Sequence, residues 1–304
     1  MESGRKIWID GRLVDWADAT VHLISNTFQY GYGVFEGIRC YETDAGPAVF
    51  RLREHVARLF NSAKILGMEV PYTRQELLEA CKETIRANGF AVCYLRPIVY
   101  IGYGGMALDT SETRVSAAIA VWFWGEYCGE GTLEHGIRVK TSSYTRHHIN
   151  AAMTKAKACG NYLLFQLARS EARRDGYDEA LLLDAHGQVA EGSVENIFLV
   201  QHGEIITPPR THILEGITRD TIIRLAREAD FTVREECFSR DFVYTADEVF
   251  FCGTGAEVTP VIELDRRPIG DGAPGAVTKR VQRLFFAAVQ GRNELHKDWL
   301  TLLE

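Results

Sequence analysis

Two lysines two residues apart, Lys155 and Lys157, stand in the stretch AAMTKAKACGNYLL (151–164), with a Gly-Asn-Tyr triplet behind them. A lysine amine that has lost its proton can attack a carbonyl carbon. The small neighbours Ala156, Ala158 and Gly160 would let a flat ligand approach the backbone closely. Glu191 lies in VAEGSVEN, between two strand-like runs and followed by Gly192. Gly216-Ile217-Thr218 opens a helical run, and the free amides and positive dipole end of a helix start suit a phosphate. Gly253-Thr254-Gly255 ends a strand-like run, where backbone amides and a hydroxyl could bind a second anion. No third glycine follows at the spacing of the dinucleotide-binding fingerprint.

A nucleophilic lysine, an acid and two anion-binding turns together meet the needs of pyridoxal 5′-phosphate. The lysine forms a Schiff base, the acid keeps the ring nitrogen protonated, and the donors hold the phosphate. Spacing alone leaves both Lys155 and Lys157 open as the reactive amine.

These residues need strands and helices to position them. KIWIDGRLVD (6–15) reads as two short strands around an Asp10-Gly11 turn. AVFRLREHVARLFNSAKILGM puts Val56, Leu59, Phe60 and Ala63 on one helical face. The next helix opens on Thr73 and Glu76, a capping box, and closes at Asn88-Gly89. Two strand patterns follow, CYLRPIVYIGYGG and VSAAIAVWFWGEY. Strands around a helix pair indicate a mixed domain over residues 1–127. The Gly-rich stretch 128–136 reads as a linker, and 137–304 as a larger cofactor-binding domain. There the patterns give a strand at IRVKTSS and a helix from NYLL to Gly176. A run of short strands, a helix with Thr218 as N-cap, the strand DEVFFCG and a last helix from Ala276 complete it. The fold class is therefore α/β (α+β) in two domains.

Composition narrows the partners. The chain has 304 residues, 46% of them hydrophobic and 25% charged, as in ordinary globular proteins. A net charge of −7 without a polybasic run argues against nucleic acid or an anionic membrane. No apolar run is long enough to span a bilayer, and the N-terminal residues lack a signal-peptide pattern, so a cytoplasmic protein is expected. Seven cysteines, widely spaced and without C-x-x-C, indicate neither a disulfide framework nor a zinc ribbon. His147-His148 has no third ligand at metal spacing, and no metal is expected.

Taken in order, the motifs resemble those of the branched-chain amino acid aminotransferases, pyridoxal-phosphate enzymes of fold type IV. The matching stretches are YGYGVFEGIRCYE (30–42), FRLREHVARLFNSAKIL (50–66), YLRPIVYIGYGGMALD (94–109) and FWGEYCG (123–129). They continue with TKAKACGNYLL, SEARRDGYDEALLLD, EGSVENIFLV, TPPRTHILEGITRDTIIRLA, ADEVFFCGTGAEVTPV and GAVTKRVQ. The resemblance implies that Lys157, the lysine before Ala-x-Gly-Asn-Tyr, is the Schiff-base lysine. It further implies that Arg58 pairs with the cofactor phosphate and that Tyr162 bonds the ring hydroxyl. Glu191 would face the ring nitrogen and Leu214 would pack on the ring. Ile217, Thr218 and Thr254 would complete the phosphate cup. For substrate, Tyr94 and Arg96 share a strand face. Arg96 would take the distal carboxylate of glutamate with Tyr30 and Tyr127 as helpers, near the pocket edge and hydrogen-bonded by them. Phe35, Trp124 and Tyr162 would wall an apolar pocket, and Thr254, Gly255 and Ala256 would hold the α-carboxylate.

The implied reaction is transamination between leucine, isoleucine or valine and 2-oxoglutarate, in a homodimer or higher homo-oligomer whose 102–109 loop reaches the neighbouring site. Small amino acids and 2-oxo acids are the partners. D-amino acid or (R)-amine aminotransferases and aminodeoxychorismate lyase share the fold and are the alternatives. The chain departs from the family in three places. Gly255 stands where alanine is common, Phe123 where proline precedes the tryptophan, and RHHINAAMTKAK lacks the prolines often found before the lysine.

Overall fold

A computed structural model describes residues 2–104, 108–110 and 113–303. The chain forms two compact units, Met1–Trp124 with Lys155–Tyr162 and Ala288–Glu304, and Gly125–Thr154 with Leu163–Ala287. Both hold mixed helix and sheet, the expected fold class.

The first unit is built on a nine-stranded sheet whose longest pair is Cys93–Ile101 against Val115–Phe123, antiparallel with Tyr94 opposite Trp122. Asp10 (φ 44°) and Gly11 (φ 85°) give the left-handed turn that joins Lys6–Ile9 to Arg12–Asp15. The helix Leu52–Ile65 buries Val56, Leu59 and Ala63. The helix Arg74–Asn88 carries the Thr73–Glu76 capping box and ends on Gly89 at φ 72°, where glycine pays no steric cost. Its Leu77, Ala80, Cys81 and Ile85 join Ile38, Leu95, Val99, Ile119 and Val121 in one apolar core. About 25 cal/mol per Å² of apolar surface removed from water drives this packing.

Two segments beyond the expected 128–136 linker are fastened into this first unit. The lysine segment bridges Val34 to Ala158. Phe35 N–H donates to the Lys157 carbonyl at 3.0 Å, and Lys157 N–H donates to Ser62 Oγ at 3.0 Å. Gly31 and Gly160 meet so closely that a Cβ on Gly31 would lie 2.6 Å from Gly160 Cα. The C-terminal strand Leu300–Leu302 pairs with Gly46–Phe50.

The second unit also has a nine-stranded sheet. Its path runs Val189–Gly192, Glu179–Leu183, Ile137–Thr141, Glu257–Leu264, Glu248–Gly253, Asn196–Gln201, Glu204–Thr207, Val233–Glu235, with Arg267–Pro268 beside Glu257–Leu264. Ile137–Thr141 runs parallel to both of its neighbours. Its core gathers Ile137, Val139, Leu181, Ile197, Leu199, Val249 and Phe251. Residues 128–136 carry the helix Thr132–His135 between Gly131 and Gly136, both at φ 81°. Gln282 ties that helix down, donating to the Leu133 carbonyl at 2.8 Å and the Val258 carbonyl at 2.9 Å.

One expected cap is corrected. The helix Ile217–Glu228 is capped by Gly216, and Thr218 lies inside its first turn. Asp220 N–H donates to the Gly216 carbonyl at 3.0 Å, so the helical bonding begins two residues before Thr218.

Candidate active site

In the first unit, the lysine segment presents Lys157 to Tyr162. Its Nζ lies 2.6 Å from Tyr162 Oη, 5.0 Å from the Phe35 ring centroid and 5.1 Å from that of Tyr162. Burial, and then the Arg58 guanidinium, bring the Lys157 ammonium down to about 8, with Glu36 opposing. A lysine held there is a neutral, nucleophilic amine in about a tenth of molecules at pH 7, roughly 300 times the share of an ordinary lysine. Lys157 carries this environment.

Arg58 is on the helix Leu52–Ile65 and grips a fully buried Glu36, Nε to Oε1 at 2.6 Å and Nη2 to Oε2 at 2.9 Å. His55 Nδ1 meets the same Oε2 at 2.7 Å. Burial alone would raise the Glu36 carboxyl, but Arg58 and His55 outweigh it and hold it far below the usual carboxylate range. Burial holds His55 below its ordinary value despite Glu36. Glu36 and His55 passed unnoticed in the sequence, although Glu36 sits inside VFEGIR and His55 one helical turn before Arg58. Glu36 takes up the Nε–Nη2 edge of Arg58 and so fixes the orientation of its guanidinium.

Tyr94 and Arg96 project from the same face of Cys93–Ile101. Within the first unit, Arg96 is set among aromatic rings. Its guanidinium carbon lies over Phe35 (4.7 Å), Tyr94 (5.6 Å) and Trp122 (5.7 Å), and its buried Nε has no hydrogen-bond partner among the described residues. Aromatic faces offer the cation a negative quadrupole without consuming its N–H donors. Tyr30 ends the short helix Asn26–Tyr30 and is about half exposed. Tyr94 packs edge-on against Trp124 at 4.7 Å, and Phe35 against Tyr162 at 4.6 Å, so the expected wall residues do form aromatic contacts. Trp122 belongs with them and was not foreseen. Gly37 is required here, because a Cβ would lie 1.8 Å from Tyr94 Oη.

The second unit holds the expected acid and the expected anion turns. Glu191 is buried on Val189–Gly192, and its Oε1 accepts a hydrogen bond from Arg146 Nε. Its Oε2 accepts from Leu214 N–H at 3.2 Å and from Asn196 Nδ2 at 3.4 Å. Asn196 also donates to the Leu214 carbonyl at 3.1 Å, which draws Glu191 and Leu214 into one network. Arg146 lies over Phe165 at 4.9 Å. A buried carboxylate with a cation and two N–H donors on it has its charge balanced and its direction fixed. Sequence reading noticed Leu214 but missed Arg146 and Asn196. Gly216 has no room for a side chain, since a Cβ would meet Asn196 Oδ1 at 1.9 Å. Behind it the buried Ile217 and Thr218 start a twelve-residue helix.

Thr254-Gly255-Ala256 forms the turn between Glu248–Gly253 and Glu257–Leu264. Thr259 Oγ1 braces it, donating to the Ala256 carbonyl at 2.7 Å. A Cβ on Gly255 would lie 3.4 Å from Tyr127 Cδ2, an ordinary contact, so alanine would fit where this chain has glycine. Tyr127 accepts a hydrogen bond from Arg169 Nη1. His147 Nδ1 lies 3.2 Å from Arg146 Nη1. Loop 102–109 is described only in part, residues 105–107 falling outside the described residues.

Residues 33–264 match the family described as amino-transferase class IV. The chain belongs to this family. Over 298 residues this class IV aminotransferase is 50% identical to the branched-chain-amino-acid aminotransferase of Pseudomonas aeruginosa, covering 98% of this chain and 97% of the relative. The crystal structure of the Escherichia coli branched-chain amino acid aminotransferase superposes with a TM-score of 0.97 at 46% identity, covering 99% of this chain and 100% of that one. The branched-chain amino acid aminotransferase of Thermobaculum terrenum in its PLP-form gives a TM-score of 0.92 at 35% identity, covering 100% of both chains. The architecture is that of the fold type IV aminotransferases.

The residues present fit pyridoxal 5′-phosphate. The first unit has a lysine with its ammonium brought down to about 8, and the second a buried carboxylate held by Arg146 and a helix start at Gly216, the kinds of group that an aldehyde, a ring nitrogen and a phosphate call for.

Proposed function

We propose that this class IV aminotransferase exchanges amino groups between L-leucine, L-isoleucine or L-valine and 2-oxoglutarate, with pyridoxal 5′-phosphate as cofactor. The observation that carries the reading is Arg96. A cation set among Phe35, Tyr94 and Trp122 suits a pocket that must take both an apolar side chain and the carboxylate of glutamate. Whole-chain likeness to enzymes of that name supports it.

Bound pyridoxal phosphate supplies the carbonyl that captures an amine and the ring that delocalises the electrons left when the Cα proton departs. The protein does the rest. Lys157 would hold the cofactor carbonyl through its amine and, once displaced by the substrate amine, would carry the proton between substrate Cα and the cofactor C4′ as general base and acid. Glu191, its charge balanced by Arg146, keeps a proton on the ring nitrogen. Tyr162 donates to the ring hydroxyl oxygen, and Leu214 covers the ring. Arg58, Ile217, Thr218 and Thr254 hold the phosphate. Thr254, Gly255 and Ala256 receive the α-carboxylate, Phe35, Trp124 and Tyr162 wall the side chain, and Arg96 with Tyr94, Tyr30 and Tyr127 receives the distal carboxylate. Glutamate gives its amino group first and leaves as 2-oxoglutarate, and a branched 2-oxo acid then takes it. Activity with L-leucine and 2-oxoglutarate, set beside D-alanine and an (R)-amine, tests the substrate class. A higher kcat/KM for D-alanine or the amine than for L-leucine would overturn it.

Lys157 also sets a pH dependence. Its charged form predominates below about 8 and its nucleophilic form above. Protein stripped of cofactor should therefore take up pyridoxal phosphate faster as pH rises, by about tenfold per unit well below that value, and level off above it. Absorbance-followed uptake between pH 6 and 9 measures this, and a flat profile contradicts it.

The assembly reading is a homodimer or higher homo-oligomer in the cytoplasm. Leu23 (67% exposed), Phe28 (71%) and Tyr103 (64%) are large apolar side chains of the first unit that a second copy would cover. Among the described residues no helix is long and apolar enough to cross a membrane.

A further inference from the structure

A cluster in the second unit lies outside the cofactor and substrate groups named so far. Glu179 opens the strand Glu179–Leu183 and is fully enclosed, and Glu195 precedes Asn196–Gln201 and is also buried. Each gives one oxygen to a backbone amide, Ala180 N–H to Glu179 Oε1 at 2.7 Å and Val194 N–H to Glu195 Oε2 at 3.0 Å. Their other oxygens, Glu179 Oε2 and Glu195 Oε1, have no hydrogen-bond partner among the described residues. Cys128 Sγ and an oxygen of each glutamate lie within 4.8 Å of one another. Arg169 Nε faces Glu179 Oε2 at 3.3 Å, a charge contact rather than an aligned hydrogen bond.

Two enclosed carboxylates this close do not both stay ionised. Burial, and then the Glu179 charge, push Glu195 well above the usual range, so Glu195 keeps the proton. Burial keeps the Cys128 thiol protonated as well. One negative charge then remains on the pair, and Arg169 is its counter-ion.

The far end of Arg169 reaches Tyr127. Nη1 donates to Tyr127 Oη, and the guanidinium carbon stands 4.1 Å from the ring centroid. The same side chain borders Gly255, where a Cβ would lie 3.4 Å from Tyr127 Cδ2. A phenol oxygen that accepts from a guanidinium turns its own proton away from it and becomes a stronger donor.

We infer that Arg169 is a positioning residue for substrate recognition: anchored by the Glu179–Glu195 pair, it clamps Tyr127 beside the Gly255 turn and commits the Tyr127 hydroxyl to donate to the distal carboxylate of the dicarboxylate substrate. The inference rests on the proposed placing of Tyr127 in the substrate site. It differs from a mere packing role for Arg169, because it acts on one substrate and through one atom.

The test compares holoenzyme as wild type, Tyr127→Phe, Arg169→Met and the double variant, with KM and kcat for 2-oxoglutarate and for the oxo acid of leucine. Arg169→Met should raise KM for 2-oxoglutarate about tenfold, with kcat and the leucine oxo acid changed much less. In the Tyr127→Phe background the same change should add little, because the hydroxyl it acts through is gone. Equal effects in both backgrounds, or equal losses for both oxo acids, would overturn the inference. Tyr127→Phe with unchanged KM for 2-oxoglutarate would instead remove Tyr127 from the substrate site, and the inference would fall with that reading. If Arg169→Met does not fold, Arg169→Lys runs the same cycle, since one ammonium cannot span both Glu179 and Tyr127.

Discussion

Lys157→Ala is expected to abolish transamination, lowering kcat by at least roughly 10²- to 10⁴-fold, the range lost with a single general acid–base group. The loss of covalent capture comes in addition. Lys155→Ala should retain most of the activity. The expectation rests on environment, since Lys157 Nζ meets Tyr162 Oη at 2.6 Å and lies beside the Phe35 ring. Burial and the Arg58 charge bring its ammonium to about 8, which lets one side chain act first as a nucleophile and then as a proton carrier near neutral pH. Steady-state rates with L-leucine and 2-oxoglutarate measure both variants. A dead Lys155→Ala enzyme beside an active Lys157→Ala enzyme would reverse the assignment.

The second large effect concerns Arg96. Arg96→Ala should lower kcat/KM for glutamate and 2-oxoglutarate by roughly 10- to 150-fold, equivalent to a charge-assisted hydrogen bond of about 1.5–3 kcal/mol. Leucine and its oxo acid should change much less. A cation in a partly apolar pocket is costly without compensation. The rings of Phe35, Tyr94 and Trp122 supply it, at about 0.5–2 kcal/mol per contact, and Arg96 Nε has no hydrogen-bond partner among the described residues. The arginine can then meet a carboxylate without first breaking a hydrogen bond at Nε. The two half-reactions, run separately on wild type and variant, separate the substrates. Equal losses for leucine and glutamate would make Arg96 a packing residue.

The features legible in the sequence were the ones carried by neighbours in the chain. Asp10-Gly11 signals its turn because both residues tolerate positive φ, and Thr73 with Glu76 signals a helix start because the two side chains cap each other across three residues. The helix at Ile217 was legible, but its cap was misplaced. Threonine and glycine are about equally good N-caps by propensity, so local sequence does not choose between them, whereas the fold needs a residue without a side chain against Asn196. The choice between Lys155 and Lys157 was not legible from spacing. The register of the lysine segment is fixed by Ser62, 95 residues away, and by the Phe35 amide. The resemblance to a family, and not spacing, points to Lys157. Arg146 and Glu191 are 45 residues apart, and nothing local to RHHIN marks its arginine as the partner of the acid. The strand Leu300–Leu302 was likewise invisible, because three residues show no period and only the edge of Gly46–Phe50 makes them a strand.

The central claim is that one lysine, Lys157, carries the cofactor of this aminotransferase. Borohydride reduction of the purified, cofactor-loaded protein, followed by peptide mapping, tests it most directly. The account predicts a yellow protein whose reduced pyridoxyl group lies on Lys157, with none on Lys155. An adduct on Lys155, or a protein that takes up no cofactor, would contradict it.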